Sequence, residues 1–240
     1  MKNLFKGFAL AVSMLTSIPF FKVHDFNKGI NGYAVLFYPL VGFLLGLILY
    51  GTYSLLDGRL PDLHLGIIIF ILWVILTGAL HLDGFSDTID GLFVPKERAL
   101  EVMKDPNTGG MGMIFTVTFL IFKASSLAFF DAFYLLPVVL LLSRFNAVLA
   151  IYLFPYISQN GMGALAKAEI KGTQVFIALI YVALLSFSVL WLFALSLLVL
   201  FVIKSFFIKR YGGFSGDIYG FTIEVTELVL LNAILLGIAA

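Results

Sequence analysis

LGIIIFILWVILTGALHLDGFSDTIDG, residues 65–91, runs through about sixteen apolar positions and then places Asp83, Asp87 and Asp90 within eight. The apolar part, 65–81, has the length of a hydrocarbon-spanning helix, which takes roughly 20 residues with a lower limit near 17. Ionised carboxylates are expensive beside hydrocarbon, so acids set directly against such a run imply chemistry at the edge of a membrane.

The rest of the chain supports that reading. It has 240 residues, 61% hydrophobic and 12% charged, with a mean hydropathy of +1.07. Soluble domains carry roughly 45–50% apolar and about 25% charged residues. Further apolar runs occupy 33–55, 111–130, 133–155, 175–207 and 217–239. The 33-residue run at 175–207 is too long for one span and is expected to fold back near "SFS" (186–188). The opening run, 7–18, is short and followed by Pro19, which suits a re-entrant or interfacial helix. "TSIPFF" gives no small-residue cleavage site, so this segment is expected to be retained. The predicted fold is all-α: a polytopic transmembrane helix bundle of about six or seven spans, forming one domain over 1–240, with a short N-terminal helix beside it.

Taking the spans alternately, one side receives Lys22, Lys28, Lys96, Arg98, Lys104, Lys167, Lys171, Lys204, Lys209 and Arg210, while the other receives only Arg59. The bias of ten to one makes the basic side cytoplasmic. It puts "HLDGFSDTIDG" and "GGFSGD" on the same, cytoplasmic face. Absence of cysteine removes disulfides, thiolate metal sites and thiol nucleophiles. His24, His64 and His81 are too scattered for a zinc site. A net charge of +1 gives no field for nucleic acid.

Asp83, Asp87 and Asp90, spaced by four and three, share an arc of about 60° on one helix, expected to continue from the 65–81 span. Like charges on one stripe repel, and a divalent cation relieves the repulsion. The bland alternative is a solvated helix end. Gly84 and Gly91 leave room for close approach. In "GGFSGDIYGFTIEVTE", 212–227, Asp217, Glu224 and Glu227 share an arc of about 80°, with Glu227 roughly 15 Å deeper than Asp217. An acid that deep is either functional or one half of a structural ion pair. Two glycine turns, "MKDPNTGGMG" (103–112) and "SQNGMGALAK" (158–167), are candidate phosphate seats, the first through helix N-terminal amides near Gly109 with Lys104 adding charge. Lys123 and Arg144, cations within spans, are ion-pair partners or phosphate contacts. Counted from the span ends, Arg144 and Glu227 reach the same depth, so they are expected to pair, with Lys123 as the competing partner. His81 points away from the aspartate stripe, which suits a capping or substrate contact.

"HLDGFSDTIDGL" (81–92) resembles the "HLDGLADTADGL" signature of the cobalamin synthase family, adenosylcobinamide-GDP ribazoletransferase. "MKDPNTGGMG" is similar to the family's Asp-Pro-Gly loop, "NGMG" (160–163) to its glycine turn, and "GGFSGDIYGFTIEVTE" to its "GGxTGDxxGAxxExxE" block; Lys123 and Arg144 sit where the family carries span cations. Phe85, Ser86 and Ile89 depart from the signature, and "YISQNGMG" lacks the family's arginine before the turn. The resemblance implies an Mg²⁺-dependent phosphotransferase acting on adenosylcobinamide-GDP and α-ribazole, or its 5′-phosphate, with release of GMP. It implies metal binding by Asp83, Asp87, Asp90 and Asp217, and further ligands or a base among Asp217, Glu224 and Glu227. Substrate contacts are implied for His81, Gly84, Lys104, Asp105, Gly109, Lys123, Arg144, Gly161, Gly163, Gly213 and Gly216. The rival readings are a CDP-alcohol phosphotransferase, whose "DGxxAR" is broken by Asp87-Thr88, and a cation- or proton-coupled transporter, which needs acids reachable from both faces.

Overall fold

The computed structural model describes residues 2–18, 29–158 and 161–237. Lys22, His24, Lys28 and Asn160 lie outside the described residues. In chain order the helices are α1 (Lys2–Leu15), α2 (Ile30–Leu56), α3 (Asp62–Thr77), α4 (Leu80–Leu92), α5 (Lys96–Val102), α6 (Gly110–Ala128), α7 (Leu136–Leu153), α8 (Met162–Glu169), α9 (Gly172–Leu185), α10 (Leu190–Tyr211) and α11 (Gly216–Leu235). Single 3₁₀ turns, Phe133–Leu135 and Phe187–Val189, precede α7 and α10. Among the described residues the one non-helical pairing is an isolated bridge between Tyr156 and Phe214. The fold is the expected all-α bundle. Among the described residues five helices are long and apolar enough to cross a membrane, or up to seven if the bent pairs α3–α4 and α8–α9 each count as one span. The fold-back falls at "SFS", where the Ser186 amide closes α9 on the Val182 carbonyl.

Helix α7 is the axis of the bundle, with Leu140, Leu141, Arg144, Phe145 and Val148 wholly buried. Glycines on α2 let it lie directly on α7: a Cβ at Gly42 would overlap the Leu140 carbonyl and come within 2.7 Å of Arg144 Cδ. One turn on, a Cβ at Gly46 would come within 2.6 Å of the Pro137 nitrogen. Lipid tails are as apolar as leucine, so helices in a membrane associate through such close packing rather than through hydrophobic burial. Helices α6 and α10 keep much of their apolar surface outward, including Ile121, Phe122, Phe201 and Val202, as lipid-facing helices should. With 14 residues, α1 is about 21 Å long, short of the hydrocarbon core, and packs on α2 with Phe8 edge-on to Phe37 at 5.5 Å.

One expectation fails. The aspartate helix is not a continuation of the preceding span, because α3 stops at Thr77 and α4 leaves at 85° to it. Gly78 (φ 59°) and Ala79 (φ 56°) are both left-handed. Their amides bond back to the Ile75 and Val74 carbonyls, closing α3 in the manner of a glycine C-cap. Glycine adopts that conformation freely, whereas Ala79 carries a steric cost there. The turn swings α4 across the end of α11, with Gly84 so close that a Cβ would sit 2.9 Å from the Asp217 carbonyl oxygen.

Gly42→Ala should therefore destabilise the purified protein by about 1–3 kcal/mol, the usual cost of overpacking, because the obstructing atoms are backbone. Gly51→Ala, which meets nothing within 4 Å, should be neutral or stabilising. Denaturation midpoints in detergent compare the two, and equal losses would show that close α2–α7 approach is not what Gly42 provides.

Candidate active site

Helix α11 begins at Ser215, whose hydroxyl accepts from the Ile218 amide at 3.3 Å and donates to Asp217 at 3.2 Å, the local arrangement expected of a serine N-cap. Just before it, Phe214 exchanges backbone hydrogen bonds with the segment after α7: Phe214 N to Pro155 O and Ile157 N to Phe214 O, both 2.9 Å. That exchange pins Tyr156 beside Tyr219, ring centroids 6.0 Å apart. Helix α8 is fixed at its far end by Glu169, which accepts from the Asn31 amide (2.9 Å) and side chain (2.8 Å) at the start of α2.

Between these elements lies a cavity of about 610 Å³. Of the residues singled out in the sequence, His81, Asp83, Gly84, Lys104, Gly161, Gly163, Gly216 and Asp217 line it. Asp83, Lys104 and Gly216 are exposed and Asp217 is half-buried, so they form its polar mouth. Ala147, Ile151 and Ile223 continue inward. Ile223 lies six residues beyond Asp217 along α11, about 9 Å deeper. Sequence reasoning missed Tyr156, Ser158, Tyr219 and Tyr38, which also line the cavity. Tyr219 sits only two residues from Asp217, but an aromatic side chain in so apolar a chain carries no signal of its own.

The remaining singled-out residues have other duties. Asp90 is buried and accepts from the amides of Gly109 and Gly112, both at 2.7 Å. The helix N-terminus expected to hold phosphate therefore holds this carboxylate: Asp90 caps α6, and no room for a side chain remains at Gly109 or Gly112. Asp105 is exposed, and the Asn107 amide and then its side chain hold the Asp105 carboxyl below the usual carboxylate range. It faces no part of the cavity. Gly213 serves packing, since a Cβ would sit 2.6 Å from Ile157 and closer still to the Pro155 carbonyl.

Glu224 and Glu227, read as further ligands or a base, are instead locked into a buried ion cluster. Lys123 Nζ donates to Glu224 Oε2 at 2.7 Å and to Glu227 Oε2 at 2.6 Å. Arg144 Nη1 donates to Glu227 Oε1 and to Ser143 Oγ. Lys123 also lies 4.3 Å over the Trp73 ring. The expected Arg144–Glu227 pair is present, and Lys123 joins it rather than competing. Two cations and two carboxylates balance, which is how charges survive in a low-dielectric interior. The cluster does not line the cavity, but its members neighbour residues that do: Arg144 is about one turn from Ala147 on α7, and Glu224 follows Ile223 on α11.

Three carboxylates are left for chemistry: Asp83, Asp87 and Asp217. Among the described residues none of them makes an ion pair, and the charges of Asp83, Asp217 and Asp90 all bear on Asp87. Among the described residues no three Asp, Glu or His side chains converge to cage an ion. Mg²⁺ rarely needs such a cage, because it keeps several waters and binds one or two carboxylates together with substrate phosphates. An uncompensated, partly exposed set of oxygen donors at the mouth of a cavity fits a divalent ion arriving with a phosphorylated substrate.

The cobalamin-5-phosphate synthase family model matches residues 7–235. A protein of Desulforamulus reducens named adenosylcobinamide-GDP ribazoletransferase is 37% identical, with 98% of each chain covered. Proteins of the same name from Acinetobacter baumannii (34%; 93% of this chain and 94% of the relative) and Thermosynechococcus vestitus (36%; 84% and 86%) are also similar. No solved structure matches.

The ion cluster makes a quantitative expectation. Arg144→Gln and Glu227→Gln should each lower unfolding stability by about 3–5 kcal/mol, because each strands a buried charge. The double variant keeps the Lys123–Glu224 pair, so its loss should fall short of the sum by at least about 1 kcal/mol. Strictly additive losses in a double-mutant cycle would reject the coupling.

Proposed function

The chain belongs to the cobalamin-5-phosphate synthase family, and from that premise we infer that it is an adenosylcobinamide-GDP ribazoletransferase, a membrane-embedded transferase of cobalamin synthesis. The finer reading concerns the chemistry. A ribose hydroxyl of α-ribazole, one that stays free in its 5′-phosphate, attacks the phosphorus that carries the cobinamide. The bond from that phosphorus to the bridging oxygen of the pyrophosphate breaks, and GMP leaves with the bridging oxygen. The observation that carries this assignment is the cavity mouth, where Asp83, Asp217 and Lys104 meet beside an unpaired Asp87.

Asp87 with one of Asp83 and Asp217, together with the substrate phosphates, would hold Mg²⁺. When bound, the ion supplies Lewis-acid neutralisation of charge on the bridging and leaving oxygens. Lys104 attracts the phosphates as a point charge. Whichever of Asp83 and Asp217 is free of metal accepts the proton of the attacking hydroxyl, the role of a positioned general base. Asp90 and Glu227 have both oxygens committed to amides or cations, and Glu224 is ion-paired to Lys123 through Oε2, so these three take no part. A transporter needs acids reachable from both faces, whereas Asp83 and Asp217 share one cavity mouth. The mouth faces the cytoplasm of a prokaryotic inner membrane, as the distribution of Lys and Arg supports, and polar substrates then reach it directly.

Detergent-purified protein should release GMP only when both substrates and a divalent cation are present; EDTA should stop release and Mg²⁺ restore it. Asp87→Asn should lower turnover by at least about 10³-fold while leaving the thermal midpoint near that of the unaltered protein, the scale of losing a major electrostatic stabiliser. A near-normal rate would reject the metal assignment. For orientation, single cysteines at Thr108 and Lys209 should label from the cytoplasmic side and one at Asp57 from the opposite side. Labelling of 108 and 209 from opposite faces would break the shared-mouth arrangement.

A further inference from the structure

Helix α4 ends without a cap of its own. The last carbonyls of an α-helix have no partners within it, and a left-handed glycine commonly supplies them. Here the chain runs on through Phe93 (φ −92°) to Pro95, whose nitrogen has no hydrogen to give. The Phe93 amide returns to the Asp90 carbonyl at 3.2 Å. The carbonyls beyond it are met from another helix. Arg210 Nη2, in the last turn of α10, donates to Leu92 O at 2.8 Å and to Val94 O at 3.4 Å. Tyr211 Oη donates to Gly91 O at 2.8 Å and accepts from Arg210 Nε at 3.1 Å. Two adjacent side chains thus close the end of α4, and the guanidinium opposes the negative end of its dipole.

This clasp sits where it can set the geometry of the aspartates. Gly212, Gly213, Phe214 and Ser215 alone separate Tyr211 from α11, and Phe214 is itself bonded to Pro155 and Ile157. Arg210 and Tyr211 therefore tie the far end of α4 to the root of the helix that carries Asp217. The near end of α4 already lies on α11: Phe85 stacks on Phe221 at 5.3 Å, and Gly84 abuts the Asp217 backbone. Asp87 stands between the two anchors, after Gly84 and before Gly91. Among the described residues no ion pair holds its carboxylate, so its place is that of the backbone beneath it.

We propose that Arg210, acting with Tyr211, is a positioning residue for the transfer: by holding the last carbonyls of α4 it keeps Asp83 and Asp87 in register with Asp217, the set from which the divalent cation draws its carboxylates. The role rests on the ribazoletransferase reading and adds to it a residue outside the cavity wall that governs how well the ion is held. Its sign separates it from a field effect. Were Arg210 only a nearby cation, removing it would strengthen the field of the acids and Mg²⁺ would bind more tightly. A positioning residue gives the opposite result, because the loosened set grips the ion less well.

GMP release by the full-length protein in detergent reads this directly. Arg210→Gln should raise the Mg²⁺ concentration for half-maximal rate about 5–10-fold, the scale of one lost charged hydrogen bond. The KM for α-ribazole, and the rate at saturating Mg²⁺, should stay within about threefold of the unaltered values. Tyr211→Phe, the milder variant, should move the Mg²⁺ midpoint the same way by at least about twofold. Arg210→Lys keeps a charged donor without the fork and should come within about threefold of the unaltered midpoint. Lys209→Gln removes the same charge one position away, from an exposed side chain, and should leave the midpoint where it is. In EDTA, without substrate, hydrogen exchange of amides 88–94 in Arg210→Gln should run at least about fivefold faster, with α2 unchanged. A Mg²⁺ midpoint that falls makes Arg210 a field effect, and one that stays put while exchange quickens makes it a structural cap; either overturns the positioning role, as does unchanged exchange. Those outcomes leave the reaction intact. If the unaltered protein releases no GMP with both substrates and Mg²⁺, the reaction assignment falls and the positioning role falls with it.

Discussion

Everything else in this molecule is arranged around four charges that have no water. Lys123 on α6, Arg144 on α7, and Glu224 and Glu227 on α11 meet inside the bundle, with side chains 0–4% exposed. In a low-dielectric interior each charge alone is prohibitive, and only the complete set is tolerable. The three helices are thereby held in one register, since sliding any of them by a residue separates donors from acceptors. Neutral bonds follow the same seam: Asn146 donates to Thr226 and to the Ser196 carbonyl, tying α7 to α11 and α10. Asn232 and Ser126 join α11 to α6. Such bonds orient helices in a membrane, where apolar packing by itself has little preference for one rotation over another.

With α11 fixed, the acids divide by what their neighbours leave them. The chain places six carboxylates of interest in two short segments, 81–91 and 212–227. Two of the six neutralise cations, one caps a helix, and three make no ion pair: Asp83 and Asp217 at the cavity mouth, and Asp87 near enough for their charges to bear on it. Asp90 is instructive because its position in the stripe is chemically equivalent to those of Asp83 and Asp87. Only the arrival of α6, with the Gly109 and Gly112 amides pointing at it, removes it from the set. Gly112 is needed for the same reason that it is inconspicuous: any side chain there would displace the carboxylate.

The cavity also explains why a membrane-embedded bundle suits a reaction between polar molecules. Its mouth is charged and its interior apolar. A low-dielectric surround strengthens every charge–phosphate interaction at the mouth. The 85° turn after α3 lays α4 against the start of α11, where Gly84 meets the Asp217 backbone.

The sequence by itself determined the class of molecule: hydropathy, the spacing of apolar runs and the bias of Lys and Arg suffice for an all-α membrane bundle, because solvation by lipid acts on each segment independently. It determined the candidate residues too, including the Arg144–Glu227 pair, since helical rise converts sequence distance to depth. It did not determine which acids are chemical and which structural. The break at Gly78–Ala79, the capture of Asp90 by the α6 amides, the entry of Lys123 into the ion cluster, and the hold of Arg210 on the end of α4 all depend on which helix lies against which. Those contacts join positions far apart in the chain, and a local pattern carries no record of them; only the packed helices decide what each carboxylate touches.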